Sequence, residues 1–90
     1  MLYLIIERFK GGDPVPVYRR FRDRGRMAPE GLRYLSSWVT TDFHSCYQVM
    51  ECDEATLLER WIAQWNDLVD FEVIPVVTSD AARKEIEPRL

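Results

Sequence analysis

Ninety residues carry 12 basic and 15 acidic side chains, a formal net charge of −3, 47% hydrophobic residues and 12% aromatics. That balance excludes a disordered tail or low-complexity linker, and the length makes one domain, residues 1–90, with a core small enough that a covering partner is expected. No apolar run reaches the roughly 18 residues of a membrane-spanning helix, and MLYLIIERFK meets charges too early for a signal peptide, so a cytoplasmic protein with no membrane partner is expected.

Residues 2–9, LYLIIERF, are β-branched and aromatic and end at Lys10-Gly11-Gly12, which reads as a first strand and a turn. Asp13-Pro14 then opens an amphipathic helix over residues 15–24, with Val17, Tyr18 and Phe21 on one stripe and a stop at Gly25. After the loop GRMAPEG, residues 32–42 alternate as a second strand. A tight turn at Asp42-Phe43-His44 reverses the chain into a third, residues 45–52. Asp53 caps a helix in which Leu57, Leu58, Trp61, Ile62, Trp65 and Leu68 recur at spacings of three and four. Residues 71–78, FEVIPVVT, form a fourth strand whose Pro75 points to a sheet edge, and Ser79 or Asp80 opens a polar C-terminal helix.

Strand, helix, strand, strand, helix, strand is the ferredoxin-like βαββαβ order of the α+β class: a four-stranded antiparallel sheet with two helices on one face. Alternation assigns Leu2, Leu4 and Ile6, with Leu35, Val39, Tyr47, Val49, Phe71, Val73 and Val77, to the helix side. It leaves Tyr3, Ile5, Glu7, Phe9, Tyr34, Ser36, Trp38, Cys46, Gln48, Met50 and Ile74 on a bare, amphipathic face that something must cover.

The segments MLYLIIERF, YRRFRDRGRMAPEGLRYLSSWV, CYQVMEC and LVDFEVIPV resemble a small bacterial family of about ninety residues catalogued as a domain of unknown function, itself similar to the dimeric α/β-barrel superfamily. The resemblance implies a homodimer whose two sheets close bare face to bare face, with a pocket beside the sheet. It implies no particular reaction. Haem-degrading relatives need a histidine in the second half of the chain; none follows His44, and no cofactor is expected.

The chemistry-bearing residues are few. Glu7, in an apolar setting, is the candidate proton-transfer group, and Tyr3, Ser36, Trp38, Gln48 and Met50 are the candidate ligand-binding residues around it. Gln48 either fixes a ligand carbonyl or is satisfied by Ser36 across the hairpin, while Trp61 and Trp65, one helical turn apart, read as packing residues. His44 at the hairpin tip is not expected to hold a metal, and Cys46 and Cys52, roughly 20 Å apart along a strand, cannot form a disulfide with each other.

Residues 19–26 hold five arginines against one aspartate, which raises nucleic acid as a rival ligand. The third strand, however, lacks the glycine, base and paired aromatics of an RNA-binding sheet, and the net charge is negative. Residues 42–78, with eight carboxylates and one arginine, offer those arginines ion-pair partners instead. A homodimer binding a small apolar or aromatic molecule on the sheet is the expectation, whether or not it is an enzyme. The alternative is an interaction module whose barrel is filled by its own side chains.

Overall fold

The structure is a computed structural model and describes residues 1–90. Strand β1 (Leu2–Phe9) leads through a short 3-10 turn into α1 (Val15–Arg24). Strands β2 (Arg33–Val39) and β3 (Ser45–Glu51) form a hairpin, followed by α2 (Ala55–Ala63), β4 (Val69–Val76) and α3 (Ser79–Ile86). The sheet order is β2-β3-β1-β4 and every pairing is antiparallel, which is the ferredoxin-like arrangement expected from the order of periods. β1 lies between β3 and β4, and Pro75 falls on the edge strand, where its missing N–H breaks no ladder on the open side.

Local signals account for most of the element ends. Asp13 Oδ1 accepts the Val15 N–H at 3.0 Å and so opens α1. Gly25 closes it at φ 71°, a conformation a side chain resists, and its N–H bonds the Phe21 carbonyl at 2.7 Å. α2 departs from expectation at both ends. Glu54 rather than Asp53 stands at its N-terminus, with no side-chain cap, and the regular helix stops at Ala63. Trp65 and Leu68 follow in tight turns, where their N–H groups bond the carbonyls of Ile62 and Trp65, each at 2.9 Å. α3 is capped by Thr78, whose hydroxyl accepts the Ala81 N–H at 3.1 Å.

The two sheet faces are exchanged relative to the expectation in β1 and β3. Ile5, Met50, Cys52, Leu58, Trp61, Trp65 and Leu32 form the core, with Tyr3 and Phe71 packed against it. Tyr3, Ile5, Glu7 and Phe9 of β1, and Cys46, Gln48, Met50 and Cys52 around β3, therefore lie under the helices. Leu2, Leu4, Ile6, Tyr47 and Val49 take the open face. The physical reason is size. Each set in β1 carries one charged residue, Glu7 in one and the exposed Arg8 in the other, and the sheet-to-helix gap takes the set that ends in Phe9, which meets Tyr18 edge-on at 6.4 Å. Glu7 is carried inside with that set.

In β2 the expectation holds only in part, because Leu35 is an extra residue in a bulge between Tyr34, paired with Met50, and Ser36, paired with Val49. Tyr34, Ser37 and Val39 thus share the helix side, and Ser36 and Trp38 the open side. Leu35 is 43% exposed rather than buried under the helices. In β4 Phe71 and Val73 lie on the helix side as expected, whereas Val77 falls beyond the strand and is exposed.

The α3 arm stands off this body. All its residues except Ala82 are exposed, and the molecule measures 48 × 30 × 17 Å with a radius of gyration of 14.9 Å. A compact chain of this length would have about 12 Å.

The inward set makes a direct prediction. Ile5→Ala should lower stability by about 2–5 kcal/mol in urea unfolding, whereas Val77→Ala, at an exposed position, should change it by less than about 0.5 kcal/mol.

Candidate functional site

A cavity of about 190 Å³ lies between the helix side of the sheet and α1. Its floor is Glu7 and Phe9 of β1, Ser37 and Val39 of β2, and Cys46 and Gln48 of β3. Val17, Tyr18 and Phe21 of α1 form one wall, and Trp61, Trp65 and Arg26 the other. The opening has a sequence origin. α1 is dominated by arginines and buries no residue, so its short apolar stripe touches the sheet without sealing it.

Arg20 holds α1 at this distance. Its guanidinium grips Asp67 by two bonds of 2.7 Å, reaches the Gln64 carbonyl at 2.9 Å and lies 5.7 Å over the Trp65 ring. Those hydrogen bonds, with its charge, keep the Asp67 carboxyl down at about 2.

The floor is a small polar island. Glu7 is 6% exposed and Gln48 3% exposed, neighbours on paired strands, and the Gln48 Nε2 amide donates to Glu7 Oε2. Gln48 Oε1 has no hydrogen-bond partner. Ser37, directly opposite Gln48, is engaged with the Tyr34 hydroxyl at 2.7 Å. Cys46 lies opposite Glu7 on β3 and hydrogen-bonds to it.

Burial raises the Glu7 carboxyl above its ordinary 4.5, and the bonds from Gln48 and Cys46 and the charge of Arg26 only partly offset this. Burial and the nearby carboxylate push the Cys46 thiol up to about 12, so it is a neutral thiol rather than a nucleophile. Burial, foremost, also raises the Tyr18 phenol, with the neighbouring acidic groups of Cys46 and Glu7 adding to it. Of these three acids, burial moves only Glu7 towards neutrality, and it moves Cys46 and Tyr18 away from it.

The other wall is built on one backbone oxygen. The indole N–H groups of Trp61 and Trp65 both donate to the Arg26 carbonyl, each at 3.0 Å, which ties the loop after α1 to α2. Met27, the next residue, is held in the left-handed region at φ 60°, a conformation that costs a residue with a side chain about 1–3 kcal/mol. The Arg26 guanidinium lies 3.7 Å over the Tyr34 ring and 5.3 Å over Phe21.

The six residues expected to form one site are therefore divided. Glu7 and Gln48 line the cavity. Tyr3 and Met50 share their face but belong to the adjoining core, and Ser36 and Trp38 are on the opposite side of the sheet. Ser36 cannot satisfy Gln48, because the bulge at Leu35 puts Ser37 there instead. Trp61 and Trp65, read as packing residues, do pack, and they also form cavity wall. Arg26 and Cys46 were not singled out. The signals available for them were the odd arginine beyond the Gly25 stop and a cysteine two residues from Gln48. His44 remains at the hairpin tip, 3.4 Å from Asp42.

Glu7 yields a pH prediction with a defined sign. Because its folded-state pKa is raised, the folded protein holds this proton where the unfolded chain has released it. Stability should therefore fall as pH rises from about 4.5 through the folded midpoint. Glu7→Gln should remove that slope, leaving the variant more stable relative to wild type at pH 7 than at pH 4.5 in paired urea titrations. Carboxyl NMR of Glu7 should give a midpoint above 4.5.

Solved structures similar to this chain include two small proteins. Rv0793 from Mycobacterium tuberculosis is 16% identical with a TM-score of 0.47, over 88% of this chain and 98% of that one. Atu4242 from Agrobacterium tumefaciens is 14% identical with a TM-score of 0.47, over 88% and 96%. No curated protein matches the chain. The profile of a family described as a domain of unknown function (DUF3303) matches residues 1–90, and the chain belongs to that family.

Proposed function

We propose that this protein binds a small, largely apolar or aromatic molecule in the cavity under α1, with Glu7 as the group that gives or takes a proton there, and that it works as a homodimer. The observation that carries the binding reading is the buried, unpartnered Gln48 Oε1 beside a buried carboxyl in a largely apolar cavity. A buried acceptor left empty costs about 1–3 kcal/mol, and a ligand N–H or O–H would remove that penalty. A carboxyl with a raised pKa among aromatic rings is suited to general acid–base work near neutral pH.

A filled, inert core is the competing interpretation, and the cavity volume speaks against it. A ligand would enter past the half-exposed Tyr18 and Phe21. A panel of monocyclic compounds, followed by saturation-transfer NMR, should include binders, and Val17→Phe, which fills the cavity, should abolish their signals. Binding that survives this substitution would place the ligand elsewhere.

The dimer reading rests on the open face. Trp38, 62% exposed, lies opposite Tyr47, and Leu4, Val49 and Ile74 continue the apolar surface across the sheet. Arg8–Glu72 and Arg33–Glu51 ion pairs, at 3.3 and 3.0 Å, lie towards its margins. Only 12 of 90 residues are buried, and the accessible surface is 6195 Å². A compact monomer of this mass would expose about 5,500 Å². The exposed α3 arm contributes to that excess, and the apolar open face of the sheet adds surface that a partner would cover. Sedimentation at micromolar concentration should report twice the 10.7 kDa chain mass, and Trp38→Glu should shift the protein to monomer without loss of helical signal.

A further inference from the structure

We infer that the ligand of this cavity is a monocyclic organic acid whose anionic group is held by Arg26 while a hydroxyl or N–H elsewhere on it donates to Gln48 Oε1. The inference rests on the binding reading above and specifies the chemistry of what binds.

Arg26 carries the first half. Arg20 and Arg22, in the same arginine-rich stretch, are paired with Asp67 and Asp23. Arg19 and Arg24 are exposed to water. Arg26 is half-buried, lines the cavity and has no carboxylate within ion-pair distance. Its guanidinium is stacked on Tyr34 and flanked by Phe21, which strips water from its faces and leaves the N–H edge free. A guanidinium held this way is suited to a carboxylate or enolate, which accepts two parallel N–H bonds. Glu7 does not serve as that acceptor: its nearest donors are Gln48 and Cys46, and Arg26 acts on it only as a distant charge.

Gln48 carries the second half. Its amide nitrogen donates to Glu7, which leaves its oxygen as the acceptor without a partner. An acid with a second polar hydrogen satisfies both ends of the cavity, whereas a purely apolar ring satisfies neither. Volume sets the size. A 150 Å³ apolar cavity takes benzene, so about 190 Å³ takes one six-membered ring with one or two small substituents. The aromatic walls, Phe9 and Trp61 among them, favour such a ring over a small inorganic anion, which would leave them unfilled.

The test uses the three monohydroxybenzoates and their methyl esters, which keep the ring and hydroxyl and lose the charge. Binding is read from the indole N–H signals of Trp61 and Trp65 in two-dimensional NMR. At least one acid should bind wild type about tenfold or more tighter than its ester, as expected for a charge-assisted pair. Arg26→Gln should bring the two within about twofold, and Arg26→Lys should retain part of the preference. The Arg26 carbonyl that anchors the indoles is backbone and survives either substitution, so unshifted indole signals report an intact wall. Should the glutamine variant fail to fold, loss of part of the preference in the lysine variant decides the matter. Esters binding as tightly as acids, or an acid preference unchanged by substitution at Arg26, would overturn the anion assignment and leave the binding cavity standing. Absence of binding by every acid and ester would overturn both.

Discussion

The Arg26 carbonyl is the point on which the helix side of the molecule is assembled. Two indoles, Trp61 of α2 and Trp65 of the turn that follows it, share it, so a single backbone oxygen sets the distance between the loop after α1 and the second helix. Gly25 ends α1 one residue earlier and Met27 turns left-handed one residue later, so the carbonyl faces α2 while the side chain faces the sheet. Backbone and guanidinium of one residue thus do separate work, the first structural and the second electrostatic. The strain at Met27 persists because bonds on either side hold the loop in place.

Glu7 is the counterpart on the sheet. A central strand with a carboxylate on its helix side is a poor choice for stability alone, since a buried charge loses its water and gains only an amide and a thiol in return. Arg26 helps without forming a contact pair. The arrangement leaves a carboxyl whose pKa burial has raised and an amide oxygen with capacity to spare, both at the bottom of an aromatic-walled space. Local departures from the rules of a stable core tend to collect where a protein does its work.

The order of the elements and the extents of β1 and α1 were legible because they depend on local chemistry: β1 and α1 begin and end where the Gly-Gly turn, Asp13 and Gly25 say they should, whereas β4 runs Val69–Val76 rather than over 71–78. The side of the sheet was not. Leu2, Leu4 and Ile6 form the more hydrophobic-looking set in β1, and Glu7 argued against the other, yet Phe9 and Ile5 fill the space under the helices better. Alternation gives two faces and cannot say which is inner when both are apolar. Glu7 and Gln48 were found as a pair because they travel together on paired strands whichever face is inner. Arg26 was lost among its neighbours, since what distinguishes it is the absence of a partner, a property of three dimensions.

The bulge at Leu35 has a consequence for how the strand can change in length. The hairpin end is fixed by Thr40, whose N–H bonds the Ser45 carbonyl at 2.9 Å, and the other end by Tyr34 beneath Arg26 and by Arg33 beside Glu51. Between these anchors β2 holds one residue more than β3 can pair, and the bulge takes up the surplus. The strand therefore carries slack in one direction. Loss of Leu35 would leave Ser37 opposite Gln48 and Trp38 opposite Tyr47, whereas ironing the surplus out without a deletion would drive Trp38 to the cavity side. A one-residue gap at this place in a related sequence is thus compatible with the same inner and outer surfaces.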